Sequence, residues 1–516
     1  MSEPSLREFR AEVLRESGAE AAIVEELLAY NENRFDAARA RSLQLPLDDE
    51  PHLAAWGEYA AEARELGVIP ALTRRFVQLL FPVCEGISQT EGYRAASRRG
   101  ERPAEGERPA FVRPESVSLE LHETVAGRIP ILIAPERADF VTLVRVFSGR
   151  NEPIAVPESM GACIVTGLNN WDRVDRYRKD FEAETGKAGD EDAWLVEFKK
   201  LVPSKELYQD RFIILSTGPY SAVPGSEIAR AEAEWLRDSL AIRRAHESTH
   251  YFTCRVFGSM RNNLLDEIIA DFAGLHDTFG AYDGGLALRF FGLEEFPRYR
   301  PGGRLQSYLG DPPLSPDAVM VLRSLVHRAV RNIEAFASIH EALRARDAVA
   351  RMVVALTGMT LEELASNEMA GRISDRLEPG DETLALSVAG SHDGIQQLLS
   401  EAQAFAGRHA SLAPVQADLG VVLDEVVSNI VKYGYGAGPA RPVGVDLVLE
   451  DGVLRVEIVD EAAAFDPLAR PAPDTDQALE ERPIGGLGIH IVKQLMDDVR
   501  YRREGGKNVL TLTKRL

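Results

Sequence analysis

Apolar residues between Leu6 and Tyr30 recur at intervals of three and four, the spacing that lines one face of an α-helix. Asp48, Asp49 and Pro51 interrupt this pattern, and a second helical run follows through Leu80. The stretch Ala96–Ser116 is rich in Arg, Glu, Pro and Gly and has little to bury, so it reads as a linker or exposed loop. From Ser118 to about Ala222 the pattern is mixed. SVSLELHETV, IPILIAP, DFVTLVRVF, GACIVTG and RFIILST have the apolar and β-branched content of strands, with helical stretches between them. A long helical pattern starts at Ser226, reaches Gly258 and continues in further helices to about Leu377. Pro379 and Gly380 punctuate the chain, and the pattern then resets.

In the last quarter ETLALSVAG is a strand, and Ile395–Gly407 and Leu412–Tyr433 are helices. VGVDLVLEDGVLRVEIVD is a hairpin turning at Asp451-Gly452. Ile489–Met496 is a helix, and a second hairpin turns near Gly505-Gly506. This order predicts an α+β domain with helices layered on an antiparallel sheet. A chain of 516 residues exceeds one ordinary core, and roughly two to four domains are expected. The expected multidomain layout is a helical N-terminal region over 1–95, a mixed α/β to helical region over 117–377, and a C-terminal domain over 381–516.

Composition narrows the class. With 45% hydrophobic and 27% charged residues the chain reads as globular. A net charge of −22 argues against direct nucleic-acid binding and against docking on an anionic membrane. Cys84, Cys163 and Cys254 are far apart with no CxxC pair, which fits a reducing compartment. No signal peptide or membrane span is visible, so the expected location is cytoplasmic.

Three C-terminal segments carry candidate chemistry. In LDEVVSNIVKYGY, Glu425 and Asn429 are four apart and share a helical face, with Lys432 nearby. A carboxylate beside an amide oxygen suits Mg²⁺ and a phosphate-facing site. In VEIVDEAAAFDP a strand ends at Asp460, where a carboxylate can accept from the exocyclic amine of adenine. In IGGLGIHIVKQLMDDVRY, glycines Gly485, Gly486 and Gly488 precede an amphipathic helix, so backbone N–H groups can approach phosphates.

Taken in order, these segments resemble the N, G1 and G2 boxes of the GHKL ATPase superfamily, and in particular the anti-sigma-factor serine kinases of bacterial partner switching. The resemblance covers about Asp381–Leu516. It implies a GHKL-type α/β sandwich that binds ATP and Mg²⁺. It implies Glu425 as the base for the acceptor hydroxyl, Asn429 as Mg²⁺ ligand and Asp460 as adenine reader. Gly485, Gly486 and Gly488 fall in the phosphate loop, and the proline-rich stretch Asp466–Pro483 in the lid. The implied partner is a STAS-type anti-anti-sigma protein or a sigma factor supplied in trans, and the implied assembly a homodimer. One departure stands out: Ala462 and Ala464 occupy small positions that the G1 box usually fills with glycine.

A second candidate site lies mid-chain. His246-Glu247-Ser248-Thr249-His250 places two histidines at i and i+4, where both can reach one Zn²⁺ and Glu247 can activate its water. Downstream, Asp266-Glu267-x-x-Ala270-Asp271 resembles the Asn-Glu-x-x-Ser-Asp motif of gluzincin metallopeptidases, with Asp266 for Asn and Ala270 for Ser. The resemblance implies Glu267 as third ligand and Asp271 as the partner that orients a histidine; His276 is a rival third ligand. His327 and His340 read as packing or surface residues, and Trp56, Trp171, Trp194 and Trp235 as core. Three functions stay open: an ATP-dependent protein serine kinase, a zinc metallopeptidase with a regulatory ATP-binding domain, and a non-catalytic nucleotide-binding adaptor.

Overall fold

The computed structural model describes residues 3–36, 45–260, 262–339, 346–377, 383–435, 441–450, 452–469 and 487–516. The chain divides into two compact units, Met1–Ile373 and Ser374–Leu516. No helix among the described residues is long and apolar enough to cross a membrane.

The first unit opens with α1 (Glu3–Glu16), α2 (Ala21–Tyr30), α3 (His52–Leu66), α4 (Val68–Thr73) and α5 (Glu91–Arg99). Strands and helices then alternate: β1 (Ser118–His122), β2 (Ile129–Ala134), α6 (Arg137–Phe147), β3 (Ala162–Asn169), α7 (Trp171–Thr185), α8 (Glu191–Leu201) and β4 (Gln209–Ser216). The rest is helical: α9 (Glu232–Phe257), α10 (Asn263–Phe279), α11 (Gly284–Phe291), α12 (Pro316–Ile339), α13 (Arg346–Thr357) and α14 (Leu361–Ala365), and the division between the units falls within α15 (Met369–Leu377). The four strands form one sheet in the order β1-β2-β4-β3. β2 and β4 run parallel, and the outer pairs are antiparallel. All six residues of β2 are buried, as expected of a central strand covered on both faces.

Two sequence expectations change here. DFVTLVRVF, read as a strand from its β-branched residues, is helix α6. Its buried Phe140, Leu143, Val144 and Phe147 follow the three-and-four spacing of a helix face, and that face packs on the sheet. Nor do the helices of 1–95 stand apart. Trp56 and Tyr59 of α3 share one apolar cluster with Leu132, Phe140, Phe147 and Phe212 of the mixed region. An amphipathic helix needs a partner for its apolar side, and the sheet supplies one. The 96–116 stretch is pinned to the same unit: α5 continues through Arg99, and the Asp139 carboxylate accepts from the backbone N–H groups of Val112 (2.6 Å) and Arg113 (2.8 Å).

The second unit contains β5 (Thr383–Ala389), α16 (His392–Arg408), α17 (Gln416–Asn429), β6 (Pro442–Glu450), β7 (Val453–Asp460), α18 (Leu487–Leu495), β8 (Asp498–Glu504) and β9 (Lys507–Arg515). The sheet is antiparallel throughout, in the order β5-β6-β7-β9-β8. Alternate residues Val443, Val445 and Leu447 of β6 and Leu454, Val456 and Ile458 of β7 are buried. They meet Leu398 and Phe405 of α16 and Val422, Leu423 and Val426 of α17 in one core.

A buried charge ties the chain start to the end of the first unit. Arg10 Nε lies 3.0 Å from the fully buried Glu362 carboxylate, which also accepts from Asn31 Nδ2 at 2.8 Å. Burial pushes the Glu362 carboxyl up, and Arg10 and Asn31 oppose that shift. Arg10→Ala strands a buried charge and should cost the full chain about 3 kcal/mol. Glu362→Gln added to that variant should recover part of the loss. Urea unfolding followed by tryptophan fluorescence reads this selectively, because Trp56, Trp171, Trp194 and Trp235 all lie in the first unit.

Candidate functional site

α17 carries the first group of candidate residues. Leu419, Val422, Leu423, Val426 and Val427 fill the core, which turns Glu425, Ser428 and Asn429 to the half-buried side. Asn429 Nδ2 lies 3.5 Å from Glu425 Oε2. Gly488, in the first turn of α18, sits against this carboxylate: a Cβ added there would stand 2.2 Å from Glu425 Oε2. After Asn429 the backbone widens into a π-helical turn, Ile430–Tyr435, a distortion common at functional sites. Lys432 is exposed on that turn with no hydrogen bond or ion pair among the described residues.

The π turn leads to the end of β7. Tyr435 Oη donates to the Pro442 carbonyl (3.0 Å) and accepts from the Glu461 N–H (3.3 Å). Asp460 is buried, and its Oδ1 accepts from Ala462 N–H (2.8 Å) and Asn508 Nδ2 (2.9 Å). Oδ2 has no hydrogen-bond partner among the described residues, which leaves an acceptor for a ligand amine. Asn508 is fixed in turn by Tyr501 Oη (2.8 Å) and Arg503 Nη1 (2.6 Å), both donating to its Oδ1. Neither Ala462 nor Ala464 has a positive φ, so alanine is tolerated there without backbone strain. Space for the Ala462 methyl comes from Gly434, where a Cβ would stand 2.8 Å from it.

Glu425, Asn429 and Gly488 thus meet between α17 and α18, while Asp460 stands at the end of β7, beside the Glu461 N–H that the π turn reaches through Tyr435. The donors and acceptors present suit a nucleotide with Mg²⁺. The Asn429 amide nitrogen faces Glu425, which leaves Oδ1 as a hard ligand, and Asp460 keeps one oxygen open. Gly485, Gly486 and residues 470–483 of the expected lid lie outside the described residues. Asn508, Tyr435 and Gly434 were not singled out in the sequence. A lone Asn near the chain end or a Gly beside Tyr carries no motif, and only their pairing with the Asp460 turn gives them meaning.

The second group forms where α9 and α10 pack. His246, His250 and Glu267 are all buried, with candidate ligand atoms within 4.8 Å of one another. The two Nε2 atoms are 3.0 Å apart, and the Glu267 carboxylate lies 3.7 Å from that of His246 and 3.4 Å from that of His250. The opposite ring nitrogens are held from behind. His246 Nδ1 meets Asp271 Oδ1 (3.0 Å) and Tyr220 Oη (2.9 Å); His250 Nδ1 is 3.1 Å from Asp266 Oδ2. This carboxylate–histidine arrangement points both Nε2 atoms toward one place, as a zinc centre requires.

Arg304 closes the cluster with contacts to Asp271 and, at 3.6 Å, Glu267. Burial alone would raise the Glu267 carboxyl, yet His250 and Arg304 hold it well below its usual range. Glu247 is half-buried on the adjoining face of α9. His276 packs on Phe272 at 5.7 Å between ring centroids and takes no part in the cluster. His327 stacks on Phe296, and His340 lies outside the described residues. Tyr220 and Arg304 were not found from the sequence, because neither lies near the motif along the chain.

The class of the second unit follows from its layered sheet and its Glu–Asn–Asp–Gly arrangement: residues 389–514 match the family described as Histidine kinase-like ATPase domain. Such a domain implies ATP and Mg²⁺. The chain belongs to the Family of unknown function (DUF7005), whose match spans residues 12–368.

Several named proteins are similar over the second unit. The serine/threonine-protein kinase BtrW of Bordetella bronchiseptica is 31% identical over 103 residues, which is 20% of this chain and 71% of the relative. The serine-protein kinase RsbW of Listeria monocytogenes is 30% identical over 99 residues, 18% of this chain and 63% of its own length. The anti-sigma F factor of Geobacillus thermodenitrificans is 29% identical over 101 residues, 19% of this chain and 67% of its own length. The crystal structure of the RsbU and RsbW domains of Rv1364c from Mycobacterium tuberculosis matches at 18% identity and a TM-score of 0.19, covering 33% of this chain and 47% of that one.

The Asn508 tether has a measurable consequence. Asn508→Ala frees the Asp460 carboxylate and the Ala462 turn, and should weaken Mg-ATP binding to the full chain by about 1–3 kcal/mol. Isothermal titration calorimetry reads this directly.

Proposed function

We propose that the chain is an ATP-dependent regulatory protein whose second unit transfers a phosphoryl group to a serine of a protein partner. The observation that carries this reading is the contact of the Glu425 carboxylate with Gly488, one helical turn from Asn429. Glu425 takes the proton from the acceptor hydroxyl. Asn429 Oδ1 would hold Mg²⁺, the open oxygen of Asp460 would take the adenine amine, and Lys432 and the Gly488 turn would face the phosphates. Mg-ATP supplies the group transferred and offsets its developing charge. The similarity to proteins named serine kinases and anti-sigma factors supports a partner from that circle: a STAS-type anti-anti-sigma protein, phosphorylated, or a sigma factor, sequestered. The proposed setting is the cytoplasm, with the second unit as a homodimer.

Full-length chain, labelled ATP, Mg²⁺ and a STAS-domain protein should give label on a serine of that protein. Glu425→Ala should lower the rate by about 100-fold or more. Gly488→Ala should do likewise, since the added methyl takes the place of the Glu425 carboxylate, and circular dichroism checks that the chain stays folded. Transfer by Glu425→Ala at the parent's rate would reject the kinase. Nucleotide binding without transfer would select the adaptor.

A second reading rests on the His246–His250–Glu267 cluster: the first unit holds zinc, with Asp271 and Asp266 orienting the histidines. Bound zinc would acidify a water, and Glu247 would accept its proton, the arrangement a metallopeptidase uses. The purified chain should contain about one zinc. His246→Ala and His250→Ala should each remove it, as read by elemental mass spectrometry. A zinc-free parent that remains folded would exclude this centre.

A further inference from the structure

A second feature of the first unit lies at the free edge of its sheet. β3 ends the strand order, and its ladder with β4 slips between Val165 and Leu168, so that Thr166 and Gly167 bulge outward. A cavity of about 480 Å³ opens along this edge, bounded by α5, the end of α6 and the turn that follows. That volume is within the range of small-molecule sites. The end of α5 is fastened beside the strand by Trp171 Nε1 donating to the Ser97 carbonyl at 3.1 Å.

The lining is one-sided in charge. Arg94 and Arg98 project from successive turns of α5, and Arg150 comes from the turn after α6. No aspartate or glutamate lines the cavity, in a chain whose net charge is −22. Arg94 donates to Gln89; Arg98 and Arg150 make no hydrogen bond or ion pair among the described residues. By contrast, Arg75 pairs with Glu62 and Asp172, and Arg176 with Glu58 and Asp172. Arg150 is held at φ +55, a conformation few side chains adopt without cause.

Three guanidinium groups lining one cavity call for an anion with several oxygens.

We infer that this cavity is a binding site for a small phosphate monoester, its phosphate on Arg94, Arg98 and Arg150. The site is independent of both the nucleotide site and the metal cluster.

Glucose 6-phosphate serves as probe, with inorganic phosphate and glucose as companions, titrated into the full chain. Tryptophan fluorescence reports binding through Trp171, beside the recess. Glucose 6-phosphate should bind, inorganic phosphate more weakly, and glucose not at all. Arg98→Gln with Arg150→Gln should weaken glucose 6-phosphate at least tenfold without moving the urea midpoint, because both side chains are exposed and unpartnered. No binding of glucose 6-phosphate by the parent overturns the proposal, and so does undiminished binding by the double variant.

Discussion

Residue 488 has no side chain because the carboxylate of Glu425 occupies the place where one would stand. This contact joins the first turn of α18 to the polar side of α17, and the rest of the second unit is arranged around keeping it. The apolar side of α17 is sunk in the sheet, so the helix cannot rotate to relieve crowding at Glu425 without exposing Val422, Leu423 and Val426. Orientation of the carboxylate is thereby fixed by hydrophobic burial on the far side of the same helix. The π turn then carries the chain from Asn429 to Tyr435, whose hydroxyl ties it to both Pro442 and Glu461. Asp460 gains its setting from β9 through Asn508. Each functional group is held by an element whose main bonds lie elsewhere.

The histidine–carboxylate cluster of the first unit is organised by charge. Asp266, Glu267 and Asp271 are buried together with the Arg304 guanidinium. Burial disfavours charge on the His250 imidazole, but the Asp266 and Glu267 carboxylates outweigh it and hold that ring well above its usual range. Arg304 and Tyr220 do not meet the proposed ion. Their contacts fall on Asp271 and Glu267, the groups that aim and complete the ligand set.

Local pattern made much of this legible. The two hairpins of the second unit, the Glu425–Asn429 face and the His246–Glu247–His250 turn all depend on neighbours within a few residues, where spacing dictates geometry. What escaped depends on distance along the chain. Asn508 reaches Asp460 only because β9 pairs with β7, and Arg304 reaches Asp271 from a separate segment. DFVTLVRVF misled for another reason: its valines favour a strand, but the spacing of Phe140, Leu143, Val144 and Phe147 gives a helix a continuous apolar face, and tertiary burial outweighs local propensity. The helices of residues 1–95 were legible as helices. Their membership in the first unit was not, because Trp56 and Tyr59 find their partners in strands far downstream.

The alanines at 462 and 464 bear on the nucleotide site through volume. Glycine in such a turn serves either to permit positive φ or to leave room. The first need is absent here, since the turn keeps ordinary φ values. The second is met from the opposite wall: Gly434 on the π turn has no Cβ, which leaves room for the Ala462 methyl. The departure from the glycine pattern therefore does not by itself argue for a blocked site. The proposed binding and transfer would depend instead on Glu425, Asn429 and Asp460.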